Sequence, residues 1–267
     1  MEPQKKNFKI VTDKKSARVI LPNMLTLIGV CIGLTSIRFA LDGRFELAII
    51  AIIFAALIDG LDGRIARLIK GTSKVGKELD SLTDMISFGV APAFIMFFWK
   101  LNALGRFGWL LCLVYVICVA LRLARFNVNS NQEPSWKDNF FEGVPSPAGG
   151  ILVLTPLIIS LSGFDYIKIN YDIIVPVFFI GTSFLLISKF PTYSFKKIVI
   201  QRKATIFLLF AIVLFFGLLL IYTFNVIALS SIIYLSLIPI SFFHYQKMKK
   251  IHENDKIQDE DDLEDVL

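Results

Sequence analysis

Charged residues are scarce in this chain, and the residue types that most often carry chemistry are nearly absent. Of its 267 residues 19% are charged, whereas a typical soluble domain has about 25%. The only two histidines, His244 and His252, lie near the end of the chain, which excludes a histidine-based triad or zinc site near its middle. Cys31, Cys112 and Cys118 form no CxxC pair and lie in apolar segments, so we interpret them as small core residues.

Apolar residues replace the missing charge. They make up 55% of the chain, with 25 phenylalanines, which excludes intrinsic disorder and argues against an ordinary soluble enzyme. They form eight runs, at residues 22–40, 45–57, 85–99, 107–120, 149–161, 173–187, 206–222 and 226–243. A membrane-spanning helix needs roughly 20 apolar residues, and polar extensions lengthen the shorter runs. Because the runs lack the alternation of a membrane β-barrel, we predict an all-α integral membrane protein with eight spans.

The distribution of positive charge predicts the orientation. Of the 28 Lys and Arg residues, 23 lie in the N-terminal segment, in alternate connections and in the C-terminal tail. Since basic loops remain in the cytoplasm, both termini are predicted to be cytoplasmic, which requires an even number of spans. The charges are spread over membrane loops, where they can attract anionic lipid headgroups, and not gathered into a nucleic-acid-binding patch. We therefore expect no nucleic-acid partner.

Four aspartates stand at the cytoplasmic ends of the second and third predicted spans. Asp59 and Asp62 are three residues apart, and Asp80 and Asp84 are four apart. Such offsets place side chains on one helix face, and the two antiparallel spans are joined by a short turn, so all four carboxylates can converge. Ionised carboxylates this close need protons or cations, and oxygen ligands without His or Cys suit Mg²⁺, Mn²⁺ or Ca²⁺. The pattern predicts a metal–phosphate site, with two ions because four carboxylates exceed the usual share for one Mg²⁺.

Glycines and one arginine separate these aspartates. Gly60, Gly63, Gly71 and Gly76 could allow close approach of a ligand, or could simply end helices and pack them. Arg67 could bind a phosphate, or could extend its charged group to the membrane interface. A cation transporter is one alternative, although ion pathways more often place acids near the midplane. An intramembrane prenyltransferase, which binds magnesium pyrophosphate through aspartates, is another.

Residues 59–84 resemble the signature of the CDP-alcohol phosphatidyltransferase family, D-x2-D-G-x2-A-R-x8-G-x3-D-x3-D, at every fixed position. The matching residues are Asp59, Asp62, Gly63, Ala66, Arg67, Gly76, Asp80 and Asp84. The segments LPNMLT (21–26), DSLTDMISFGVAPA (80–93), RLARFN (122–127) and GVPSPAGG (143–150) are also similar to those of family members that use L-serine. The resemblance covers the first six predicted spans.

The resemblance implies a reaction. The phosphatidyl group of CDP-diacylglycerol would pass to the hydroxyl of L-serine, giving phosphatidylserine and CMP, with the help of Mg²⁺ or Mn²⁺. Asp59, Asp62 and Asp80 would be metal ligands, and Asp84 a further ligand or the general base. Glycerol 3-phosphate or an inositol phosphate are the alternative acceptors, although each would need more basic residues in the cavity than are evident.

The resemblance and the positions of other residues near the predicted site give further candidates for substrate binding. Gly63, Ala66, Arg67 and Gly76 would bind CDP-diacylglycerol, with the small residues leaving room for the cytidine. Asn23 and Thr26 could also contact the nucleotide or cap the first helix. Arg122 and Arg125 could bind the acceptor's carboxylate or a lipid phosphate, or could be positive-inside anchors.

The domain organisation combines both lines of inference. We predict a basic cytoplasmic segment at 1–19, a six-helix catalytic membrane domain at 20–190, two additional transmembrane helices at 191–246 and a disordered acidic tail at 247–267. We expect no cleaved signal peptide, because the polar start precedes a run longer than a signal sequence needs. The resemblance further implies a homodimer in the cytoplasmic membrane, with the active site facing the cytoplasm.

Overall fold

The computed structural model describes residues 14–69, 73–129, 140–163, 170–193 and 202–264. Nearly all of these residues are helical, which confirms the predicted all-α class. Four helical stretches are long and apolar enough to cross a membrane, at Ile20–Leu41, Lys74–Trp99, Arg106–Val128 and Thr223–Lys250. Three shorter apolar helices lie at Ser146–Leu161, Tyr171–Ile187 and Thr205–Ile221. The chain therefore has the composition and architecture of a helical membrane protein.

The elements follow one another with short connections. The helices are α1 (Lys14–Leu41), α2 (Phe45–Leu68), α3 (Lys74–Asp84), α4 (Ala91–Trp99), α5 (Arg106–Asn129), α6 (Ser146–Leu161), α7 (Tyr171–Ile187), α8 (Arg202–Ile221) and α9 (Thr223–Glu264). A π-helical segment, Met85–Val90, joins α3 to α4, so that the chain is helical without a break from Lys74 to Trp99. Two short strands, β1 (Phe140–Glu142) and β2 (Pro191–Tyr193), pair antiparallel.

Each predicted apolar run lies within a helix, but several helices extend well beyond their runs. α2 continues past residue 57 to Leu68, and α3 begins at Lys74. Gly60 and Gly63 are thus interior helix residues and not terminators, while Gly76 lies in the first turn of α3 and not in the connecting turn. Gly71 lies outside the described residues. The extension has a local cause, because Leu, Ala, Ile and Arg after residue 60 are adequate helix formers and no proline interrupts them.

The end of the chain also differs from the prediction. α9 continues to Glu264 and so occupies most of the segment that was expected to be a disordered acidic tail. Residues 247–264 contain neither glycine nor proline, and seven of them are Lys or Glu, which favour helix. The negative charge density that suggested disorder does not outweigh this propensity once a preceding helix supplies the nucleus.

The π-helical segment lies at the centre of the core. Phe88 is fully buried, as are Tyr115 of α5 and Phe179 of α7, whose rings meet edge to face with centroids 5.5 Å apart. The Tyr115 hydroxyl donates to the Phe88 carbonyl at 2.7 Å. A π-helical segment shifts the regular backbone pairing, and this side-chain donor compensates for it. The direction in which α3 leaves the core is therefore set by buried contacts.

Glycines on the neighbouring helices let the π-helical segment pack closely. A Cβ at Gly33 of α1 would lie 2.5 Å from Ser87 Oγ and 3.1 Å from Ser87 Cα, and one at Gly150 of α6 would lie 3.1 Å from Phe88 Cβ. Only a residue without a Cβ permits such approach. α1 and α6 thus fix the position of the helix that carries Asp80 and Asp84.

The helix ends gather into two groups. At one end, Lys100 pairs with Asp172 at 3.0 Å, and Asn225 donates to the Ser162 carbonyl at 3.2 Å. These contacts join the α4–α5 connection to the start of α7, and the end of α6 to the start of α9. At the other end, Lys77 Nζ donates to the Asn127 carbonyl at 3.3 Å, and the Tyr193 hydroxyl lies 3.0 Å from His244 Nδ1. The aspartate-bearing end of α3 belongs to this second group.

Candidate active site at the α2–α3 carboxylates

The four predicted aspartates come together between α2 and α3. Oxygen atoms of Asp59, Asp62 and Asp80 all lie within 4.8 Å of one another. The Asp59 carboxyl is also close enough to Asp84 for a direct interaction. The helical offsets therefore produce the convergence that the sequence predicts, with three carboxylates in one tight group and Asp84 one turn further along α3.

Local sequence explains how α3 is aimed at α2. Ser73 caps α3, and its hydroxyl accepts a hydrogen bond from the Gly76 amide at 2.9 Å. A Cβ at Gly76 would lie 2.8 Å from Asn23 Oδ1 and 3.0 Å from Ser73 Oγ. Gly76 is thus required where α1 passes the first turn of α3, and Asn23 lies at this contact.

Asp62 is anchored from α1. The Thr26 hydroxyl lies 2.7 Å from Asp62 Oδ2 and 3.0 Å from the Pro22 carbonyl, and it donates to one of the two. Both Thr26 and Asp62 are buried. The second oxygen, Asp62 Oδ1, is buried and has no hydrogen-bond partner in the described part of the chain. A buried carboxylate oxygen without a partner is costly, and a bound cation would satisfy it.

The residues present fit a divalent cation. The group formed by Asp59, Asp62 and Asp80 offers only carboxylate oxygens, which is the donor set of Mg²⁺ and Mn²⁺. The carboxylates are too close to remain ionised together without a counter-charge, and Asp62 Oδ1 has no partner among the described residues. The donor chemistry and the unpartnered oxygen both point to a metal.

Asp84 is held by a different set of partners. The Ser146 hydroxyl donates to Asp84 Oδ2 at 2.5 Å, and Arg122 Nη1 donates to Ser146 Oγ at 2.7 Å. Ser146 is fully buried and Arg122 only 8% exposed. The chain Arg122–Ser146–Asp84 therefore joins α5, α6 and α3 inside the protein. Ser146 lies in the predicted GVPSPAGG segment, but only the structure shows its contact with Asp84.

The loop before α6 places Ser146 in this chain. Gly143 has φ +76°, and a Cβ there would lie 2.8 Å from the Ser188 carbonyl oxygen. Its amide donates to Phe190 O at 2.9 Å, and Thr192 Oγ1 donates to the Gly143 carbonyl at 2.8 Å. Glycine is needed at this turn, which ties the start of α6 to the end of α7 and to β2.

Three of the predicted donor-binding residues, Gly63, Ala66 and Arg67, lie on α2. A Cβ at Gly60 or Gly63 would meet nothing within 4 Å, so the helix surface beside Asp59 and Asp62 is open. Arg67 is exposed, and its Nε donates to the Gly63 carbonyl at 3.0 Å. Ala66 is half-buried in the same turn. The open surface leaves space for a ligand directly beside the carboxylates.

Arg125 differs from Arg122. Its Nη1 donates to the Ile187 carbonyl at 2.7 Å, in an exposed position at the C-terminal end of α7. Arginine is a common partner for the free carbonyls of a helix end. The structure thus places Arg122 in the chain that holds Asp84, and Arg125 at a helix terminus.

The helical architecture and the carboxylate site are those of a membrane-bound metal-dependent class of protein, and sequence comparison identifies its family. The chain belongs to the CDP-alcohol phosphatidyltransferase family, whose sequence model matches residues 19–178. The resemblance carried by residues 59–84 is confirmed. The match spans α2, α3 and the hydrogen-bonded residues Arg122, Ser146 and Asp84, and it ends within α7.

Several curated relatives have one name. CDP-diacylglycerol–serine O-phosphatidyltransferase of Mycobacterium leprae is 43% identical over 175 residues, which are 64% of this chain and 57% of that protein. The Mycobacterium tuberculosis protein of the same name is 38% identical over 175 residues, 64% of this chain and 60% of that protein. The Helicobacter pylori protein is 35% identical over 197 residues, 74% of this chain and 81% of that protein. The chain thus covers less than two thirds of the mycobacterial relatives.

Proposed function

We propose that this protein transfers the phosphatidyl group of CDP-diacylglycerol to the hydroxyl of L-serine, with phosphatidylserine and CMP as products. The observation that carries the proposal is the position of Asp84, held through Ser146 by Arg122 beside three further carboxylates. Family membership and the names of the relatives support the donor and the acceptor. They also favour this reaction over prenyl transfer or cation transport.

Asp59, Asp62 and Asp80 are the proposed metal ligands. They would hold Mg²⁺ or Mn²⁺, and the number of carboxylates in the site suits two ions. When bound, such ions neutralise pyrophosphate charge and stabilise the leaving oxygen. The three side chains would hold the positive charge of the ions at the membrane surface, where the donor's phosphates lie when its acyl chains are in the bilayer.

The donor lies, in this proposal, along the open surface of α2. Gly63 and Ala66 leave room for the cytidine, and Arg67 can exchange its contact with the Gly63 carbonyl for a phosphate oxygen. Gly76, Asn23 and Thr26 have observed structural contacts of their own. Their proposed role in donor binding is therefore to support the positions of α3 and Asp62.

Asp84 is the proposed general base. The serine oxygen forms a bond to the phosphorus that bears the diacylglycerol, the bond from that phosphorus to CMP breaks, and the serine proton passes to Asp84 Oδ1. Serine is a poor nucleophile at neutral pH, so a positioned base is needed. Ser146 occupies Oδ2 and leaves Oδ1 without a partner in the described part of the chain.

Arg122 is the proposed acceptor-binding residue. Its side chain is buried, and Nε has no partner among the described residues. A guanidinium suits the carboxylate of serine. Arg125 was also a candidate, but its contact with the Ile187 carbonyl favours a structural role.

The membrane arrangement belongs to the same proposal. Residues 20–190 would form a six-helix catalytic domain, 191–246 two additional spans, and both termini would be cytoplasmic after eight crossings. The grouping of helix ends supports an antiparallel arrangement with the carboxylates on one side. The protein would function in the inner membrane, with the site facing the cytoplasm and as a homodimer by likeness to the family.

One assay tests the reaction. Purified full-length protein receives CDP-diacylglycerol, Mn²⁺ or Mg²⁺, and L-serine, glycerol 3-phosphate or an inositol phosphate, and CMP release is measured. We expect release with serine and none after chelation with EDTA. Release with glycerol 3-phosphate alone would contradict the acceptor, and no release with any acceptor from folded protein would contradict the reaction.

A matched pair of variants tests the metal ligands. Asp59→Asn should lower CMP release by about 100-fold or more, because even outer-shell changes at metal sites cost 10–100-fold. Asp172→Asn removes a carboxylate that pairs with Lys100 at the other group of helix ends and should leave CMP release unchanged. Mn²⁺ should raise the unfolding temperature of wild type and of Asp172→Asn but not of Asp59→Asn. Equal stabilisation of all three would argue against this site.

A further inference from the structure

Tyr234 of α9 lies beside the hydrogen-bonded group Arg122–Ser146–Asp84, although α9 is outside the part of the sequence that matches the family. It packs against a small buried cluster that contains Val144, Leu152 and Ile238, with Ala148 at its edge. Val144 and Ala148 are each two residues from Ser146. The aromatic ring is therefore held against the start of α6, where the Ser146 hydroxyl meets Asp84.

The Tyr234 hydroxyl is buried and has no hydrogen-bond partner in the described ranges. The neighbouring Thr192 hydroxyl donates to the Gly143 carbonyl at 2.8 Å and could only accept from Tyr234, and that bond is not formed. A buried hydroxyl without a partner is unfavourable by itself. It is more readily explained as a group that a ligand completes than as part of a packed core.

Arg122 also has a buried donor without a partner among the described residues. Tyr234 and Arg122 are close enough to interact electrostatically. Arg122 uses Nη1 to bond Ser146, while its Nε is buried and without a partner in the described structure. The guanidinium also lies 5.8 Å from the Phe126 ring centroid, which limits its movement.

The chemistry of these orphaned groups defines a ligand. Tyr234 Oη–H and Arg122 Nε–H are both donors, and two donors suit an anionic group such as a carboxylate or a phosphate; the carboxylate is the anion that the proposed acceptor, serine, carries. Asp84 Oδ1 is a buried acceptor without a partner among the described residues. Two donors for an anion and one acceptor for a hydroxyl proton match a small β-hydroxy amino acid.

We propose that Tyr234 of α9 completes the acceptor subsite, donating from its hydroxyl to the carboxylate of the amino-acid acceptor that Arg122 also binds. This inference rests on the proposed function and extends it to a helix beyond the family domain. Tyr234 is a specificity-determining residue in this inference, because an alcohol without an anionic group offers it no acceptor. α9 thereby contributes a substrate contact as well as membrane anchorage.

The test separates acceptor binding from the remaining steps. Tyr234→Phe keeps the ring and its packing and removes only the hydroxyl. We expect the KM for L-serine to rise about tenfold or more, as for a hydrogen bond to a charged group, with the KM for CDP-diacylglycerol unchanged and kcat less affected. Tyr222→Phe, at an exposed tyrosine between α8 and α9, should match wild type.

Each other outcome counts against a specific statement. Wild-type turnover with an unchanged serine KM in Tyr234→Phe would overturn the inference alone. An equal rise in both KM values would show a structural role and would also overturn it. Absence of wild-type CMP release with serine would overturn the proposed function, and the inference with it. Competition by D-serine and by L-serine methyl ester adds a second readout. D-serine, which has a free carboxylate, should bind less tightly to Tyr234→Phe than to wild type, whereas the affinity of the methyl ester should not change.

Discussion

The two oxygens of Asp84 have different surroundings, and this difference gives the residue its proposed role. Oδ2 accepts from Ser146 at 2.5 Å, and Ser146 accepts from Arg122 in turn. Oδ1 is buried without a partner in the described part of the chain. A carboxylate that is held through one oxygen and receives no hydrogen bond at the other is positioned to take a proton from a substrate hydroxyl.

The base role predicts a separation of turnover from binding. Asp84→Asn keeps the size of the side chain and its contact with Ser146 but cannot accept the proton. We expect kcat for CMP release to fall by about 10²–10⁴-fold, while affinity for CDP-diacylglycerol, measured by equilibrium binding, changes little. Asp42→Asn, at an exposed aspartate paired with Arg38, is the control and should retain full turnover. Parallel loss of turnover and donor affinity would argue against a base.

Local spacing predicts only part of this site. Asp59, Asp62, Asp80 and Asp84 could be placed together from the sequence because three- and four-residue offsets have a fixed meaning on a helix. The contact between Ser146 and Asp84 joins residues 62 positions apart, and no periodicity encodes it. Tyr234 is still more remote and lies in a segment without a recognisable motif.

At the scale of the elements, α1 determines where α3 points. Thr26 contacts Asp62, Asn23 lies against Gly76, and Gly33 lies against Ser87. The eight apolar runs could be predicted, since burial and bilayer contact both select apolar residues. The helix ends could not, because a helix continues wherever its backbone bonds persist, as in α2 beyond residue 57. The π-helical segment has no hydrophobic signature of its own.

The close contact between α1 and the π-helical segment predicts a stability effect. Gly33→Ala would place a Cβ 2.5 Å from Ser87 Oγ and 3.1 Å from Ser87 Cα, so the helices must move apart. We expect the free energy of unfolding to fall by about 1–3 kcal/mol, measured by thermal or denaturant unfolding in detergent. Gly181→Ala in α7 is the matched control, since its Cβ meets nothing within 4 Å. A Gly33→Ala protein as stable as wild type would contradict the packing described.

At the scale of the whole molecule, the net charge of +6 is the sum of a strongly positive part and a negative C-terminal part. Residues 251–267 carry eight carboxylates and one lysine, so the remainder of the chain has a net charge of +13. That positive charge lies mainly in the segments assigned to one membrane face. The helix-end contacts place the carboxylates in one group of helix ends, and the charge bias predicts that this group faces the cytoplasm.

The orientation predicts a labelling pattern. Cys31 is replaced by serine, and single cysteines are introduced at Asp42, Ala103 or Lys247, which are all exposed. With both termini cytoplasmic after eight crossings, a membrane-impermeant maleimide should label positions 42 and 103 in intact spheroplasts, and position 247 only after permeabilisation. The parent without an introduced cysteine should remain unlabelled, because Cys112 and Cys118 are buried. Labelling of position 247 together with 42 and 103 in intact spheroplasts would contradict the even number of crossings. Labelling of 247 without 42 and 103 would show an inverted chain, and would place the carboxylates on the face away from cytoplasmic serine.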